Sequence, residues 1–135
     1  MKILVIDGQG GQLGAQIVKA ICTQFPMVEL TTVGTNSVAT ATMIKAGAKN
    51  GATGENPIIV ACRKADVIIG PVGIVIADAL LGEVTPAMAK AVGQSDAVRI
   101  LLPSDKCDTF IAGVGSTGMS ALVEDAMEKL ASLLK

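Results

Sequence analysis

The chain has 135 residues, a formal net charge of −1 and hydrophobic side chains at half of its positions, with two Phe as its only aromatic residues. This length predicts a single domain, residues 1–135, with one core. Nucleic-acid binding needs a basic stripe or stacking aromatic side chains, so we expect no nucleic-acid partner. The sequence contains no His and no Tyr, which excludes His-based general-base and nucleophile chemistry and a tyrosine acid–base catalyst.

The most apolar segment covers residues 67–81. It is too short to span a bilayer and is interrupted by Gly, Pro and Asp. The N-terminus shows no signal-peptide pattern. The three cysteines are Cys22, Cys62 and Cys107, and their spacing is not that of a metal site. Their number is odd, so they do not form a full set of disulfide pairs. We therefore expect a reduced, cytoplasmic protein with no membrane partner and no metal site.

Apolar runs and helical patterns alternate along the chain. The predicted strands cover residues 3–6, 28–33, 66–70, 97–102 and 109–114, with an abbreviated strand or extended segment after residue 48. The predicted helices cover residues 11–25, 37–46, 57–65 behind an Asn56 cap, 74–81 and 86–92, and a last helix opens at residues 115–118.

The predicted strands are apolar along their whole length rather than alternating, as in a parallel sheet that is covered on both faces. With right-handed crossovers, this pattern predicts a Rossmann-like α/β fold. The expected architecture is a doubly wound, mainly parallel sheet in three layers, α/β/α, with a strand order near 3-2-1-4-5. Ligands of such sheets bind beyond the carboxyl ends of the strands, where the strand order reverses.

The turn after the first strand is the strongest candidate for ligand binding. Gly8, Gly11 and Gly14 follow the pattern G-x-x-G-x-x-G, which is similar to the phosphate loop of extended and atypical short-chain dehydrogenases. Backbone N–H groups and the helix dipole meet at such a turn and favour a phosphate. We predict that Gly8, Gln9, Gly10 and Gly11 hold a phosphate; the alternative is that these glycines only form a tight turn.

Two other turns belong to the same predicted edge of the sheet. Thr35 and Asn36 follow the second strand and would meet a ribose or base, whereas Gly70, Pro71 and Gly73 would form the opposite wall. The second strand does not end in an Asp or Glu that could accept the ribose hydroxyl groups, which counts against a dinucleotide. The sequence therefore does not decide whether the cofactor is NAD(P) or another nucleotide.

Three residues are weak catalytic candidates. Asp7 lies directly before the glycines, where its charge would repel a phosphate; it either caps the backbone of the turn or coordinates a divalent cation. Glu55 lies at the rim of the predicted site or in an ordinary helix start. Cys107 lies beside Lys106, which would lower its pKa and make it reactive, but a bystander role fits its position as well.

The segment from Ile74 to Leu81 predicts a helix that is apolar around most of its circumference, with Asp78 as its only polar side chain. We therefore predict a homo-oligomer, in the first place a dimer, that associates through this helix. Asp78 would be buried beside a partner group or lie at the subunit contact. A second glycine pattern, residues 113–118, matches G-x-G-x-x-G, but no βαβ unit follows it, and we interpret it as a flexible entry to the last helix.

Five segments form a recognisable block: residues 5–11, 34–36, 45–48, 51–56 and 69–74. In this block the chain resembles a family of short bacterial proteins of unknown function. The resemblance extends from Met1 to about Val114 and leaves out residues 115–118. It implies a stand-alone domain of this length and carries no known activity, so it assigns no catalytic residue.

The sequence supports three hypotheses. The leading one is a protein that binds a nucleotide or another phosphate-bearing small molecule, with a sensing or regulatory role. The second is a small enzyme that acts on a phosphorylated or carboxylated metabolite at the same edge through Asp7, Glu55 and Cys107, with or without a divalent cation. The third is a structural subunit that docks a partner through the apolar segment from Ile74 to Leu81.

Overall fold

The computed structural model describes residues 1–104 and 108–135. Strands and helices alternate along the chain, as the apolar pattern predicts. The strands are β1 (Lys2–Asp7), β2 (Glu29–Gly34), β3 (Asn50–Thr53), β4 (Val67–Pro71) and β5 (Val98–Leu102). The α-helices are α1 (Gln12–Gln24), α2 (Ser37–Lys45), α3 (Glu55–Lys64), α4 (Pro86–Gly93) and α5 (Met119–Leu133), and a 3₁₀ turn covers Val72–Val75.

The five strands form one parallel sheet in the order β3-β2-β1-β4-β5. Ile3 of β1 pairs with Leu30 of β2 on one side and with Val67 of β4 on the other. The chain runs outward from β1 to β2 and β3 and then crosses to β4 and β5, so the strand order reverses between β1 and β4. This arrangement confirms the predicted doubly wound α/β fold and its strand order.

Two apolar clusters enclose the sheet. Successive side chains of a strand point to opposite faces. Ile3 and Val5 belong to the cluster that contains α1 and α5, whereas Leu4 and Ile6 belong to the cluster that contains α3 and α4. All four side chains are at most 1% exposed. The continuous apolar run at the N-terminus is therefore that of a central strand with helices on both sides.

The apolar segment from Ile74 to Leu81 is not the predicted helix. The 3₁₀ turn ends at Val75 and further turns follow, in which Asp78, Leu80 and Leu81 have left-handed φ angles. Ile74 and Leu80 are buried in this chain's own core, whereas Asp78 is exposed. The prediction is wrong because an irregular turn that fills a core has the same apolar composition as a helix that is apolar on all sides.

Two other predicted features differ from the structure. Within the described residues, no strand forms over 109–114; Phe110 is 99% exposed, and Gly113 has a φ of 87°, which a strand does not accommodate. Residues 113–118 belong to this exposed segment and lead into α5. Helix α3 begins at Glu55 with Gly54 at its N-cap, so Asn56 lies inside the helix and does not cap it.

Helix α5 has 15 residues and buries Val123, Ala126, Met127 and Leu130 in the cluster that also contains α1.

Across residues 1–104 and 108–135, no helix combines the length and the apolar character that crossing a membrane requires.

Candidate ligand-binding site

The turn after β1 contains two glycines, Gly8 and Gly11, that lie close to neighbouring segments of the chain. Gly11 has a φ of 74°, and an ideal Cβ built on it would lie 2.8 Å from the backbone of Ala39. A Cβ on Gly8 would lie 2.5 Å from Thr35 Oγ1 and 2.7 Å from Leu80 Cδ1. The backbone of Ala39 cannot move aside, so the packing of this chain accounts for Gly11 without a ligand, whereas the atoms around Gly8 belong to side chains.

Asp7 caps the backbone of the same turn. Its side chain is only 6% exposed. Oδ1 accepts a hydrogen bond from the N–H of Gly8 at 2.8 Å, and Oδ2 accepts one from the N–H of Gly14 at 2.7 Å. The carboxylate thus ties the end of β1 to the first turn of α1, which is the backbone-capping role that the sequence left open. In the described part of the chain, no three His, Cys, Asp or Glu side chains lie close enough together to hold a metal ion.

Three backbone N–H groups at the start of α1 have no acceptor among residues 1–104 and 108–135: those of Gly10, Gln12 and Leu13. The N–H of Gly11, between them, donates to the carbonyl oxygen of Gly8 at 2.9 Å. The three unpaired donors lie at the positive end of a 13-residue helix, beyond the carboxyl end of β1. Such a position favours an anion.

Glu83 contacts the predicted binding residues, although no pattern in the sequence indicates this contact. Its Oε1 accepts hydrogen bonds from the N–H of Gln9 at 2.8 Å, from Thr35 Oγ1 at 2.7 Å and from Asn36 Nδ2 at 2.7 Å. Asn36 Nδ2 also donates to the carbonyl oxygen of Gln9 at 2.9 Å. The turns after β1 and β2 therefore meet at one carboxylate oxygen. Glu83 is 74 residues from Gln9 along the chain, and only the folded sheet brings the two together.

These three donors stabilise the negative charge of Glu83. Partial burial by itself would raise the pKa of Glu83, but the hydrogen bonds from Gln9, Thr35 and Asn36 outweigh burial and lower the pKa below its usual value. The carboxylate is therefore ionised at neutral pH, and its hydrogen bonds are charge-assisted.

We expect Glu83→Gln to lower the free energy of unfolding at pH 7 by about 1 kcal/mol, because an amide oxygen accepts weaker hydrogen bonds than a carboxylate. A carboxyl group whose pKa is lowered by folding stabilises the fold above its unfolded-state pKa, and this contribution is lost as the pH falls through its folded-state pKa. The difference between wild type and variant should therefore vanish in acid, below the usual glutamate range. Urea denaturation at a series of pH values measures it, and a difference that does not change with pH would contradict the role of the charge.

The residues predicted to form the opposite wall lie beneath the site. Gly70 and Pro71 end β4, Gly73 belongs to the 3₁₀ turn, and all three are buried. A Cβ on Gly70 would lie 2.4 Å from the carbonyl oxygen of Ile6. Gly70 thus allows β4 to approach β1 closely, and the three buried residues expose little surface in this structure.

Of the two other catalytic candidates, Glu55 lies within the described residues. Glu55 is exposed at the start of α3, where its Oε1 accepts a hydrogen bond from Thr85 Oγ1 at 2.6 Å. Thr85 caps α4 by accepting a hydrogen bond from the N–H of Met88 at 3.1 Å. Glu55 therefore links the first turns of α3 and α4. Cys107 lies outside the described residues.

A cavity of about 380 Å³ lies at the opposite edge of the sheet, between the ends of α3 and α4 and the residues before β5. Cys62, Arg63 and Asp96 contribute to its lining. Burial raises the pKa of the Cys62 thiol to about 11, so this sulfur is protonated and unreactive at neutral pH. Because parallel sheets bind their ligands at the carboxyl ends of the strands, we place the candidate site at the turn after β1 and not in this cavity.

The sheet and the turn at its centre define a class: a Rossmann-like α/β protein with a glycine-rich turn where the strand order reverses. A family model described as a domain of unknown function, DUF3842, matches residues 2–135. The chain therefore belongs to the DUF3842 family. The match includes residues 115–118, so the family extends beyond the limit near Val114 that the resemblance suggested. No curated protein matches the chain.

Proposed function

We propose that this protein binds a nucleotide or another phosphate-bearing small molecule at the carboxyl edge of its sheet, in a sensing or regulatory role. The observation that carries the proposal is the set of N–H groups of Gly10, Gln12 and Leu13, which have no acceptor within the described residues. A phosphate would accept hydrogen bonds from these groups and would be favoured by the dipole of α1.

Polar side chains beside this position support a nucleotide over a bare phosphate. Thr35 and Asn36 lie next to Gln9 at the end of β2, where a ribose or base is expected when its phosphate lies at the N-terminus of the first helix. Asp7 is less repulsive than its position in the sequence suggests, because both of its oxygens already accept hydrogen bonds from N–H groups of the turn. The choice between NAD(P) and another nucleotide is part of the test.

A thermal-shift screen tests the proposal. The protein is melted with NAD, NADP, ATP, ADP, 5′-AMP, coenzyme A or inorganic phosphate, each with and without magnesium. A ligand that binds only the native state at 100 times its Kd adds about 2.7 kcal/mol of stability, which raises the Tm by several degrees. We expect at least one nucleotide to raise the Tm, and no rise with any of the compounds would contradict the proposal.

Gln12 offers a matched pair of charge variants, because its side chain is exposed at the first residue of α1. We expect Gln12→Glu to weaken binding of the nucleotide found in the screen about fivefold, and Gln12→Lys to strengthen it by a similar factor. The two substitutions should change the stability of the fold in the opposite direction. A Glu near a helix N-terminus stabilises the helix by about 0.5 kcal/mol. Isothermal titration calorimetry measures the affinities, and equal values for all three proteins would place the phosphate away from α1.

Self-association and a cytoplasmic location stay predictions. Leu81 is 97% exposed, which makes it the side chain in the segment from Ile74 to Leu81 best placed to meet a second copy of the chain. Sedimentation velocity on the wild type and on Leu81→Ser tests this contact. We expect a dimer that the substitution weakens, and a monomer at every concentration would contradict the predicted association.

A further inference from the structure

The segment of residues 76–84, here called the switch-point loop, has an unfavourable backbone conformation. Asp78, Leu80 and Leu81 have φ angles of 66°, 59° and 58°, and Gly82 has a φ of 87°. The left-handed region is unfavourable for residues that carry a Cβ, and bulky residues such as Leu rarely occupy it. Residues held in this way need surrounding contacts that outweigh the strain, and they concentrate in ligand clamps and switch regions.

Two contacts at the candidate site hold the switch-point loop in place. Leu80 is 6% exposed and lies over Gly8. Glu83 accepts its three hydrogen bonds from the turns after β1 and β2. Inside the loop, the N–H of Asp78 donates to the carbonyl oxygen of Val84 at 2.7 Å. The contacts that Leu80 and Glu83 make at the site therefore hold the left-handed turn in its strained conformation.

Glu83 occupies the side chains of Thr35 and Asn36, which the proposed function gives to the ribose or base of the ligand. The N–H of Gln9, the hydroxyl of Thr35 and the amide of Asn36 converge on one oxygen atom at 2.7–2.8 Å. A hydroxyl oxygen of a ribose or a carbonyl oxygen of a base can accept hydrogen bonds from these donors, as the oxygen of Glu83 does. Two such oxygens cannot occupy one position, so a ligand that uses these three donors competes with Glu83.

We propose that the switch-point loop is an autoinhibitory segment: Glu83 and Leu80 occupy the position of the ligand, and the ligand binds by displacing them and releasing the left-handed turn. This inference rests on the proposed function, because it assigns a regulation to the same site. The apparent affinity is then the intrinsic affinity reduced by the fraction of molecules whose loop is open.

Leu81 allows a test that does not alter the site, because its side chain is 97% exposed. Leu81→Gly removes the strain of the left-handed φ and favours the closed loop, whereas Leu81→Ala removes the same side chain but keeps the Cβ and therefore the strain. By calorimetry with 5′-AMP and with NAD, we expect Leu81→Gly to bind about fivefold more weakly than Leu81→Ala, which lacks the same contact to a second copy of the chain. Equal affinities of the two variants would overturn the inference.

Glu83→Gln tests the other contact. The neutral side chain accepts weaker hydrogen bonds than the carboxylate, so the loop opens more easily and we expect the affinity for 5′-AMP to rise about fivefold. Amide hydrogen exchange in the wild type reports the loop directly, through the N–H groups of Asp78 and Val84, which are bonded within the closed loop. Both should exchange faster with 5′-AMP bound, whereas ligand binding ordinarily slows exchange.

The two proposals fail in different ways. If none of the compounds in the thermal-shift screen binds the wild type or Glu83→Gln, the proposed function is wrong and the autoinhibitory role is wrong with it. If a nucleotide binds the wild type, but Glu83→Gln binds it more weakly and the loop amides exchange more slowly, only the autoinhibitory role is wrong. Glu83 would then be a direct ligand contact.

Discussion

Replacing Asp7 with Ala should lower the free energy of unfolding by about 3 kcal/mol. The buried carboxylate accepts hydrogen bonds from the N–H groups of Gly8 and Gly14 at 2.8 and 2.7 Å. Ala leaves both donors without this acceptor, and each buried donor that loses its partner costs about 1–3 kcal/mol. The same change frees the end of β1 from the first turn of α1, so the affinity for any ligand at this turn should fall as well. Urea denaturation followed by circular dichroism measures the stability.

Asp125→Ala is the matched control for this substitution. Asp125 is exposed on α5 and forms an ion pair with Lys129, one turn further along the helix. Exposed pairs of this kind contribute about 0.5 kcal/mol or less. If the two Asp→Ala variants lost equal stability, the capping role of the buried carboxylate would be contradicted.

Gly70→Ala should destabilise the fold by about 3 kcal/mol or more, because the new Cβ has no room. Its ideal position is 2.4 Å from the carbonyl oxygen of Ile6, a backbone atom of the central strand, and 3.0 Å from Ile74 Cδ1. A flexible side chain can move aside, but a strand bonded on both sides cannot do so without breaking its pairing. The expected result is a large fall in the midpoint of urea denaturation.

Gly93→Ala supplies the comparison, since a Cβ on Gly93 would meet no atom within 4 Å outside its own helix and chain neighbours in the described structure. This residue ends α4, and Ala is the better helix former by about 0.5–1 kcal/mol. We expect Gly93→Ala to be neutral or slightly stabilising. A similar loss in both Gly→Ala variants would show that the loss at position 70 does not come from the contact with β1.

The sheet and its order could be predicted because the strands are short apolar runs between helical patterns. Ile3 to Ile6 is apolar at every position, which is what a central strand buried on both faces requires. The position of the site also follows from this pattern, since alternating strands and helices place their connecting turns at one edge. Gln9, Thr35 and Asn36 are therefore found together at the end of β1 and β2.

The closure of the site over these residues could not be predicted. Apolar composition does not distinguish a helix from a turn whose side chains fill a core, and Leu80 and Leu81 give no signal that they adopt left-handed φ angles. The contact between Glu83 and Gln9 joins distant parts of the chain and depends on the pairing of β1 with β4. The apolar residues Phe110 and Ile111 predict a strand, yet both are exposed beyond β5, because an apolar run indicates burial only where a neighbouring element covers it.

The position of β1 in the middle of the sheet has a consequence for folding during synthesis. It leaves the ribosome before the other four strands of the sheet, but one of its two neighbours, β4, follows about 64 residues later, the separation of the hydrogen-bonded Lys2 and Asp66. At a translation rate of about 5–20 residues per second, β1 waits about 3–13 s for that partner. Meanwhile a four-residue run of Ile, Leu, Val and Ile has an unpaired edge open to other chains. Pairing with β2, whose residues follow within 30 positions, covers only the opposite edge, so the edge that takes β4 stays open longest.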